Sequence, residues 1–177
     1  RFSKDKESVY YYEERIVGAD PRNIKVIDQY SVKDKNYTYK YDNKNRLVEK
    51  KMPGKDWEYI VYDKLNRPIL TQDSKLKAQN KWYFTKYDIF DRVVYKGIWT
   101  NPIVGQSRIA VQNIVNGQSN PVWHEKKLVG QSNNINGTIV MYSNLSFPNV
   151  AANLEILTIE YFDNYDFDIV AQNAEAS

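Results

Sequence analysis

One seven-residue motif occurs three times in this chain and constrains its fold more than any other feature. The motif is Tyr-Asp-x-x-(Asn/Asp)-Arg followed by an apolar residue, and its copies span 41–47, 62–68 and 87–93. Four constrained positions that recur at nearly regular spacing indicate a repeat architecture, in which each copy is one supersecondary unit. We therefore expect the central part of the chain to be built from equivalent units.

The interval between copies has room for two strands and two turns. Residues 47–52 and 57–62 are predicted strands that flank a Pro-Gly turn at 53–56. The next unit repeats this arrangement around a longer polar loop at 74–80. The pattern predicts an antiparallel meander whose motif turns line up along one edge, with loops of variable length along the other.

Each position of the motif suits a different task in a tight turn. The Asp can accept backbone N–H bonds inside the turn. The Asn or Asp three residues later suits a backbone with positive φ, and the Arg that follows can fork onto the Asp or a neighbouring carbonyl. The Tyr is expected to pack against the next hairpin. The residues concerned are Tyr41, Asp42, Asn45, Arg46, Tyr62, Asp63, Asn66, Arg67, Tyr87, Asp88, Asp91 and Arg92.

Composition divides the rest of the chain into segments and predicts a mainly β fold. In the N-terminal part, 8–17 and 23–32 are each predicted to be one strand. Ser107 is expected to cap a short helix over 107–116, which Asn116-Gly117 ends. The predicted segments are N-terminal strands with a degenerate earlier repeat (1–36), the motif hairpins (37–100), a polar loop-rich insertion (101–137), strands with a degraded copy of the motif at 161–165 (138–170), and a tail expected to be disordered (171–177).

Composition also bounds the function. The chain has no Cys and a single His, and its net charge of +3 comes from both signs interspersed. Disulfides and thiolate zinc sites are thereby excluded, and the charge pattern is not typical of a nucleic-acid surface. No apolar run is long enough to cross a bilayer, and no signal peptide is visible in this sequence, which in a fragment says nothing about export of the parent protein. The chain begins at Arg1, so we expect it to be a piece of a longer protein.

Three groups of polar residues are candidate sites. His124 as a catalytic base would need a nucleophile such as Ser119 or Ser132, and the spacing supports neither. The acids Asp163, Asp166 and Asp168 could bind Ca²⁺, but they lack the order of ligands and the glycine of an EF-hand loop. We therefore favour a turn from a degraded copy of the repeat motif. Single-strand nucleic-acid binding by the basic residues among the tyrosines is weaker still, because acids are interspersed. Those basic residues are Lys33, Lys35, Lys40 and Lys44.

Three tryptophans offer an alternative to a purely structural role. Trp57, Trp82 and Trp99, with the tyrosines, would form a sugar-binding platform if they made an exposed row. Aromatic cross-strand pairs that stabilise a sheet are the other interpretation, and the one we favour. A carbohydrate- or cell-surface-binding β module is therefore the alternative function. Neither interpretation involves catalytic residues, a cofactor or a metal.

The three motif copies resemble the tyrosine–aspartate (YD, or RHS) repeat, whose usual form has Gly where this chain has Asn45, Asn66 and Asp91. The segments Trp-Glu-Tyr-Ile-Val-Tyr-Asp-Lys and Lys-Trp-Tyr-Phe-Thr-Lys-Tyr-Asp resemble the RHS proteins of the Bacteroidetes group. Two later segments, Asn-Asn-Ile-Asn-Gly-Thr and Leu-Thr-Ile-Glu-Tyr-Phe-Asp-Asn-Tyr, are similar to the same group.

This resemblance implies a large exported protein, surface-associated or released, whose repeats wind a sheet into a spiral β-shell. It implies that the shell encloses or displays a variable C-terminal toxin or adhesive domain, and that export uses type IX secretion. The partners implied are the rest of the shell, the enclosed domain, and secretion machinery or outer-membrane components. The chain shows neither the self-cleavage signature nor a toxin domain of that family, so the resemblance favours a shell segment that is not an enzyme.

Overall fold

The computed structural model of the chain describes residues 1–12, 14–16, 19–33, 37–119 and 121–162. Over these residues the protein is mainly β, as predicted, and its principal element is a nine-stranded antiparallel sheet. The strands are β1 (Phe2–Lys4), β2 (Val9–Tyr11), β3 (Glu14–Arg15), β4 (Lys25–Asp28), β5 (Ser31–Lys33), β6 (Thr38–Tyr41), β7 (Leu47–Lys51), β8 (Trp57–Tyr62), β9 (Pro68–Gln72), β10 (Lys81–Tyr87), β11 (Val93–Thr100), β12 (Asn133–Ile135), β13 (Thr138–Val140) and β14 (Leu154–Ile159). The helices are α1 (Ser74–Ala78) and α2 (Arg108–Asn116), and a 3₁₀ turn spans Ala151–Asn153.

The main sheet is a meander with one long insertion. Its strand order is β14-β11-β10-β9-β8-β7-β6-β5-β4. Among the described strands, β11 and β14 are the only sheet neighbours that do not follow one another along the chain. The three motif turns join β6 to β7, β8 to β9 and β10 to β11, and they therefore lie along one edge, as predicted. The connections along the opposite edge include 52–56, 73–80 and 101–153. We call these the turn edge and the loop edge.

The inserted segment 101–153 folds back over one face of the sheet. Strand β10 alternates in exposure, so that Trp82 and Phe84 are buried on this face while Tyr83 is exposed. Helix α2 begins after Ser107, whose hydroxyl accepts the Ala110 N–H, so the predicted helix is present. The residues that meet in this main core include Val61, Leu70, Trp82, Phe84, Trp99, Val111, Val115, Ile135, Val140 and Leu154.

A second, smaller core lies at the other end of the sheet. Strands β1 to β3 form a three-stranded sheet whose Val9 and Tyr11 pack against Val32 and Tyr39. Tyr39 pairs with Lys50 and Lys50 with Glu58, so Tyr39 faces away from the side that carries Val61. The N-terminal sheet and the inserted segment therefore cover opposite faces of the main sheet, over different strands.

The secondary structure departs from the prediction at three places. Residues 23–32 form β4 and β5 instead of one strand, because the Asp28 carboxylate accepts the Tyr30 N–H at 2.7 Å and turns the chain. Residues 8–17 likewise contain two paired strands, β2 and β3. The polar loop at 74–80 contains α1, which the Asp73 carboxylate caps at the Leu76 N–H.

The structure also pairs β12 with β13 across the predicted segment boundary at 137, so both strands belong to the inserted segment. The predicted tail, and most of the degraded motif at 161–165, lie outside the described residues.

Candidate functional site

The three motif turns share one set of backbone and carboxylate bonds. In the middle turn, the Asp63 N–H donates to the Arg67 carbonyl at 3.0 Å. Asp63 Oδ1 accepts the N–H groups of Leu65 and Arg67, both at 2.9 Å. The same bonds hold the other two turns, centred on Asp42 and Asp88. One carboxylate thus organises each turn.

The residue before each Arg has the left-handed backbone that the motif predicts. The φ angles are 62° at Asn45, 64° at Asn66 and 61° at Asp91. Asn and Asp tolerate this region better than other residues with a side chain, which explains how the chain makes this turn without glycine.

Each Arg closes its own turn by pairing with the Asp four residues earlier. The Nε–Oδ2 distances are 2.8 Å for Arg46–Asp42, 2.8 Å for Arg67–Asp63 and 2.7 Å for Arg92–Asp88. The middle pair is the most enclosed, since Asp63 is 1% exposed and Arg67 is 10% exposed. In this pair Nε and Nη2 of Arg67 both contact Asp63 Oδ2, and at this depth the pair restricts the turn more than a surface ion pair does.

The Arg of one turn also reaches the next turn. Arg46 Nη1 donates to Asn66 Oδ1 at 3.0 Å, and Arg67 Nη1 donates to Asp91 Oδ1 at 2.6 Å. The positive-φ residue therefore has a second task, because its side chain accepts the preceding arginine. Arg67 Nη2 donates in addition to the carbonyl of Trp123 in the inserted segment.

The Tyr of each following copy completes this link. The guanidinium of Arg46 lies 4.6 Å from the centre of the Tyr62 ring, and that of Arg67 lies 4.6 Å from the Tyr87 ring. The Tyr62 hydroxyl donates to the Leu47 carbonyl at 2.8 Å, and the Tyr87 hydroxyl does the same to Pro68. Burial raises the pKa of both tyrosines, so their hydroxyls remain donors. We call this series of turn-to-turn contacts the arginine ladder.

Different residues take the same places at the two ends of the ladder. Before the first turn, the Tyr11 hydroxyl donates to Asn45 Oδ1 at 3.1 Å and to the Gln29 carbonyl at 3.4 Å. In the second and third turns, an arginine is the donor to the residue equivalent to Asn45. After the third turn, the Phe162 ring lies 4.3 Å from the Arg92 guanidinium, in the place of a motif tyrosine. Phe162 therefore lies on Arg92 as Tyr62 lies on Arg46 and Tyr87 on Arg67.

The ladder affects the titration of its third carboxylate. Burial alone would raise the pKa of Asp88, but the side-chain and backbone hydrogen bonds from Arg92 and the N–H of Phe90 lower it overall. The turn is thus built around an ionised carboxylate.

A second polar cluster, which we call the sealed cluster, lies in the main core. Lys86 of β10 and Glu125 of the inserted segment pair at 3.0 Å with both side chains 0% exposed. Glu125 also accepts the hydroxyls of Ser143 and Ser146, each at 2.6 Å, and the N–H groups of Leu145 and Ser146. These hydrogen bonds compensate the pair for the loss of water, which is the condition for burying two charges.

Burial and pairing act in opposite directions on these two groups. Burial lowers the pKa of Lys86 to about 8, although Glu125 favours its charged form. Burial would raise the pKa of Glu125, but Lys86 and the donors from Ser143, Ser146 and Leu145 bring it below its ordinary value. The carboxylate is therefore ionised at neutral pH, while the lysine loses its proton more readily than one in water.

No motif in the sequence marks Lys86 or Glu125. One signal was present, because Lys86 follows Trp82 and Phe84 at period two on a strand whose inner face is apolar. The partner lies 39 residues further along and carries no pattern of its own.

The tryptophans do not form the exposed row that a sugar platform requires. Trp82 and Trp99 are 1% and 4% exposed and lie opposite each other on β10 and β11, because the inserted segment covers that face. Trp57 is half-buried with the Lys40 ammonium 4.7 Å from its ring. Trp82 and Trp99 therefore form a cross-strand pair, the interpretation favoured from the sequence, and neither is exposed as the alternative platform requires.

The remaining candidate residues lie apart from one another. His124 lines an open depression with Phe90, Arg92 and Phe162, while Ser119 and Ser132 are exposed. Asp42, Asp63 and Asp88 each pair with the arginine of their own turn and do not share a cleft. Asp163, Asp166 and Asp168 lie outside the described residues.

In the part of the chain that the structure describes, no three His, Cys, Asp or Glu residues are placed to hold a metal ion. The same part contains no helix that is long and apolar enough to span a membrane. Comparisons of the chain with protein-family models, curated proteins and solved structures found no match.

Proposed function

We propose that this chain is a structural shell segment of a large exported RHS-type repeat protein that encloses or displays a variable C-terminal domain. The observation that supports the proposal is the arginine ladder. Three turns with the same sequence motif stack along one edge, and each arginine donates to its own turn and, in the first two copies, to the next. Such nearest-neighbour contacts are what a repeat array uses to extend a sheet.

The ends of the main sheet suit a segment of a longer array. All four residues of β4 are exposed, including Val26 and Ile27 at 58% and 59%. Among the described strands, β4 and β14 each have a single neighbour in the sheet. Open strand edges with apolar side chains pair readily with further strands, so the neighbours proposed here are adjoining repeats of the shell.

Electron microscopy of the chain expressed with its natural flanking sequence tests the proposal. We expect a hollow particle whose wall contains this chain, and an enclosed C-terminal domain that resists added protease. Arg67→Ala, which removes the central link of the ladder, should expose that domain to cleavage. Arg22→Ala, at a surface arginine that is 85% exposed, is the matched control and should leave protection intact.

The isolated chain provides a second test. Because each repeat needs neighbours to cover its faces, we expect concentration-dependent association through the open edges, measured by sedimentation. A chain that is monomeric at all concentrations and sits outside any particle as an independent domain would contradict a shell role.

A further inference from the structure

The sealed cluster brings together three reactive groups that a shell wall does not require. Lys86 Nζ lies 2.7 Å from Asn144 Oδ1 and 3.0 Å from Glu125 Oε1. Lys86 lies on β10 of the main sheet and Asn144 on the inserted segment, 58 residues later. An amine, a carboxamide and a carboxylate that are fixed side by side out of water are the groups that an amide exchange needs.

We propose that Lys86 and Asn144 join through an intramolecular isopeptide bond, with Glu125 as the proton acceptor. The bond would fasten the inserted segment covalently to β10. The modification needs no oxidant, reductant or cofactor.

The reaction balances as follows. Lys86 gives one proton to Glu125, and its Nζ lone pair then forms a bond to Asn144 Cγ. The carbonyl π electrons move to Oδ1 and return when the Cγ–Nδ2 bond breaks. The departing nitrogen takes up a second proton from Nζ and leaves as ammonia, while Glu125 keeps the first. The products are a secondary amide between the two side chains, a molecule of ammonia and a protonated Glu125, so no charge is left buried.

Several contacts favour this step over a static ion pair. The Tyr95 hydroxyl donates to the Ser143 carbonyl at 2.9 Å and lies 3.3 Å from Asn144 Oδ1, so rotation of its O–H gives that oxygen a second donor besides Lys86 as negative charge develops on it. Four donors from Ser143, Leu145 and Ser146 hold Glu125 next to the amine. Burial also lowers the pKa of Lys86 to about 8, which makes the neutral amine accessible in mild base.

The leaving group has a way out of the cluster. Asn144 Nδ2 points away from Lys86 and donates to the carbonyl of Asn149 at 3.0 Å. Asn149 is an exposed loop residue. Ammonia released at this position reaches solvent without crossing the core. The Lys86 side of the same amide stays sealed, which protects the Cγ carbon from attack by water.

Mass spectrometry of the full chain tests the inference. After incubation at a pH above the Lys86 pKa of about 8, we expect the chain to lose the mass of one ammonia. Proteolysis should then release one branched peptide that carries both Lys86 and Asn144. A chain that keeps its full mass and yields the two peptides separately would overturn the proposal, and this test needs no variant.

Variants separate the proposed bond from other losses of ammonia. Cyclisation at Asn116-Gly117 or Asn136-Gly137 gives the same mass change but only linear peptides. Lys86→Met should abolish the branched peptide, whereas Lys96→Met, at an exposed lysine of β11, should form it at the wild-type rate. Glu125→Gln should slow its formation by at least an order of magnitude, about the contribution of a positioned proton acceptor. An unchanged rate in that variant would remove Glu125 from the mechanism.

Discussion

The turn edge and the sealed cluster both rely on acid–base pairs, but they use them differently. On the turn edge, Asp and Arg are four residues apart and pair within one turn. In the third copy the side chain of Asp88 is 8% exposed and that of Arg92 is 33% exposed. In the cluster, Lys86 and Glu125 are 39 residues apart and fully enclosed. The first kind of pair specifies a local turn and repeats along the edge. The second fixes one segment on another and occurs once among the described residues.

This difference predicts how stability is distributed. A partly exposed pair gains little net free energy, whereas removal of one partner of a sealed pair leaves an uncompensated charge. Loss of the cluster should therefore be more damaging than loss of any single turn. Substitutions in the two regions test this ranking.

The largest effect is expected for Lys86→Met. The change leaves the Glu125 carboxylate buried without its cation, and we expect the free energy of unfolding in urea to fall by about 3–5 kcal/mol. The double variant Lys86→Met with Glu125→Met should recover part of this loss, because no charge is then buried. If Lys86→Met costs no more than the exposed control Lys96→Met, the ranking of the two regions is wrong.

Within the turn edge, Asp63→Ala should cost more than Asp42→Ala. Asp63 is 1% exposed and Asp42 is 16% exposed, so the loss of the carboxylate leaves more deeply buried donors unsatisfied in the middle turn. We expect about 2–3 kcal/mol for Asp63→Ala and about 1 kcal/mol for Asp42→Ala in the same urea titration. Asp56→Ala in the exposed loop is the control. Equal losses at the two turns would show that depth does not matter on this edge.

Asn66 allows its two tasks to be separated. Asn66→Ala removes the side-chain oxygen that accepts Arg46 and places an alanine at a φ of 64°, which alanine tolerates poorly. The backbone strain alone should destabilise the protein by about 1–2 kcal/mol. Asn66→Gly restores the backbone and should cost only the inter-turn hydrogen bond, about 0.5–1 kcal/mol. A glycine variant as unstable as the alanine variant would mean that the ladder contact, and not the turn, sets the loss.

The smallest effect is expected for Tyr87→Phe. The substitution removes the hydroxyl that donates to Pro68 but keeps the ring against Arg67, so a loss of about 0.5 kcal/mol is expected. Tyr83→Phe, at a tyrosine that is 47% exposed, serves as the reference and should change the thermal midpoint less. The opposite order would show that the hydroxyl is not part of the ladder.

The same contrast explains which features could be predicted from the sequence. The turns could be predicted because Asp42, Asn45 and Arg46 interact within five consecutive residues, and three copies make the pattern visible. The link from Arg46 to Asn66 follows from stacking equivalent turns, although the sequence alone does not show which acceptor the second arginine nitrogen uses. Helix α2 was predicted from its cap at Ser107, a local signal.

The features that were missed depend on tertiary contacts. Trp82 and Trp99 are buried only because the inserted segment returns over β10 and β11, and nothing in their immediate neighbours indicates this. The sealed cluster joins Lys86, Glu125 and Asn144 from three distant segments, so no spacing marks it. Helix α1 has five residues, too few for a periodic pattern, and depends on the Asp73 cap and the buried Leu76.

The unequal connections along the loop edge have a consequence for engineering and evolution. They lengthen from 52–56 to 73–80 to 101–153, while the facing turns keep the same hydrogen bonds. Residues can therefore be inserted on the loop edge without altering the turn-edge contacts that fix the spacing of the strands. The hairpin at Pro53–Asp56, whose Gly54 has open space around it, is a site at which a foreign peptide or a small domain could be grafted.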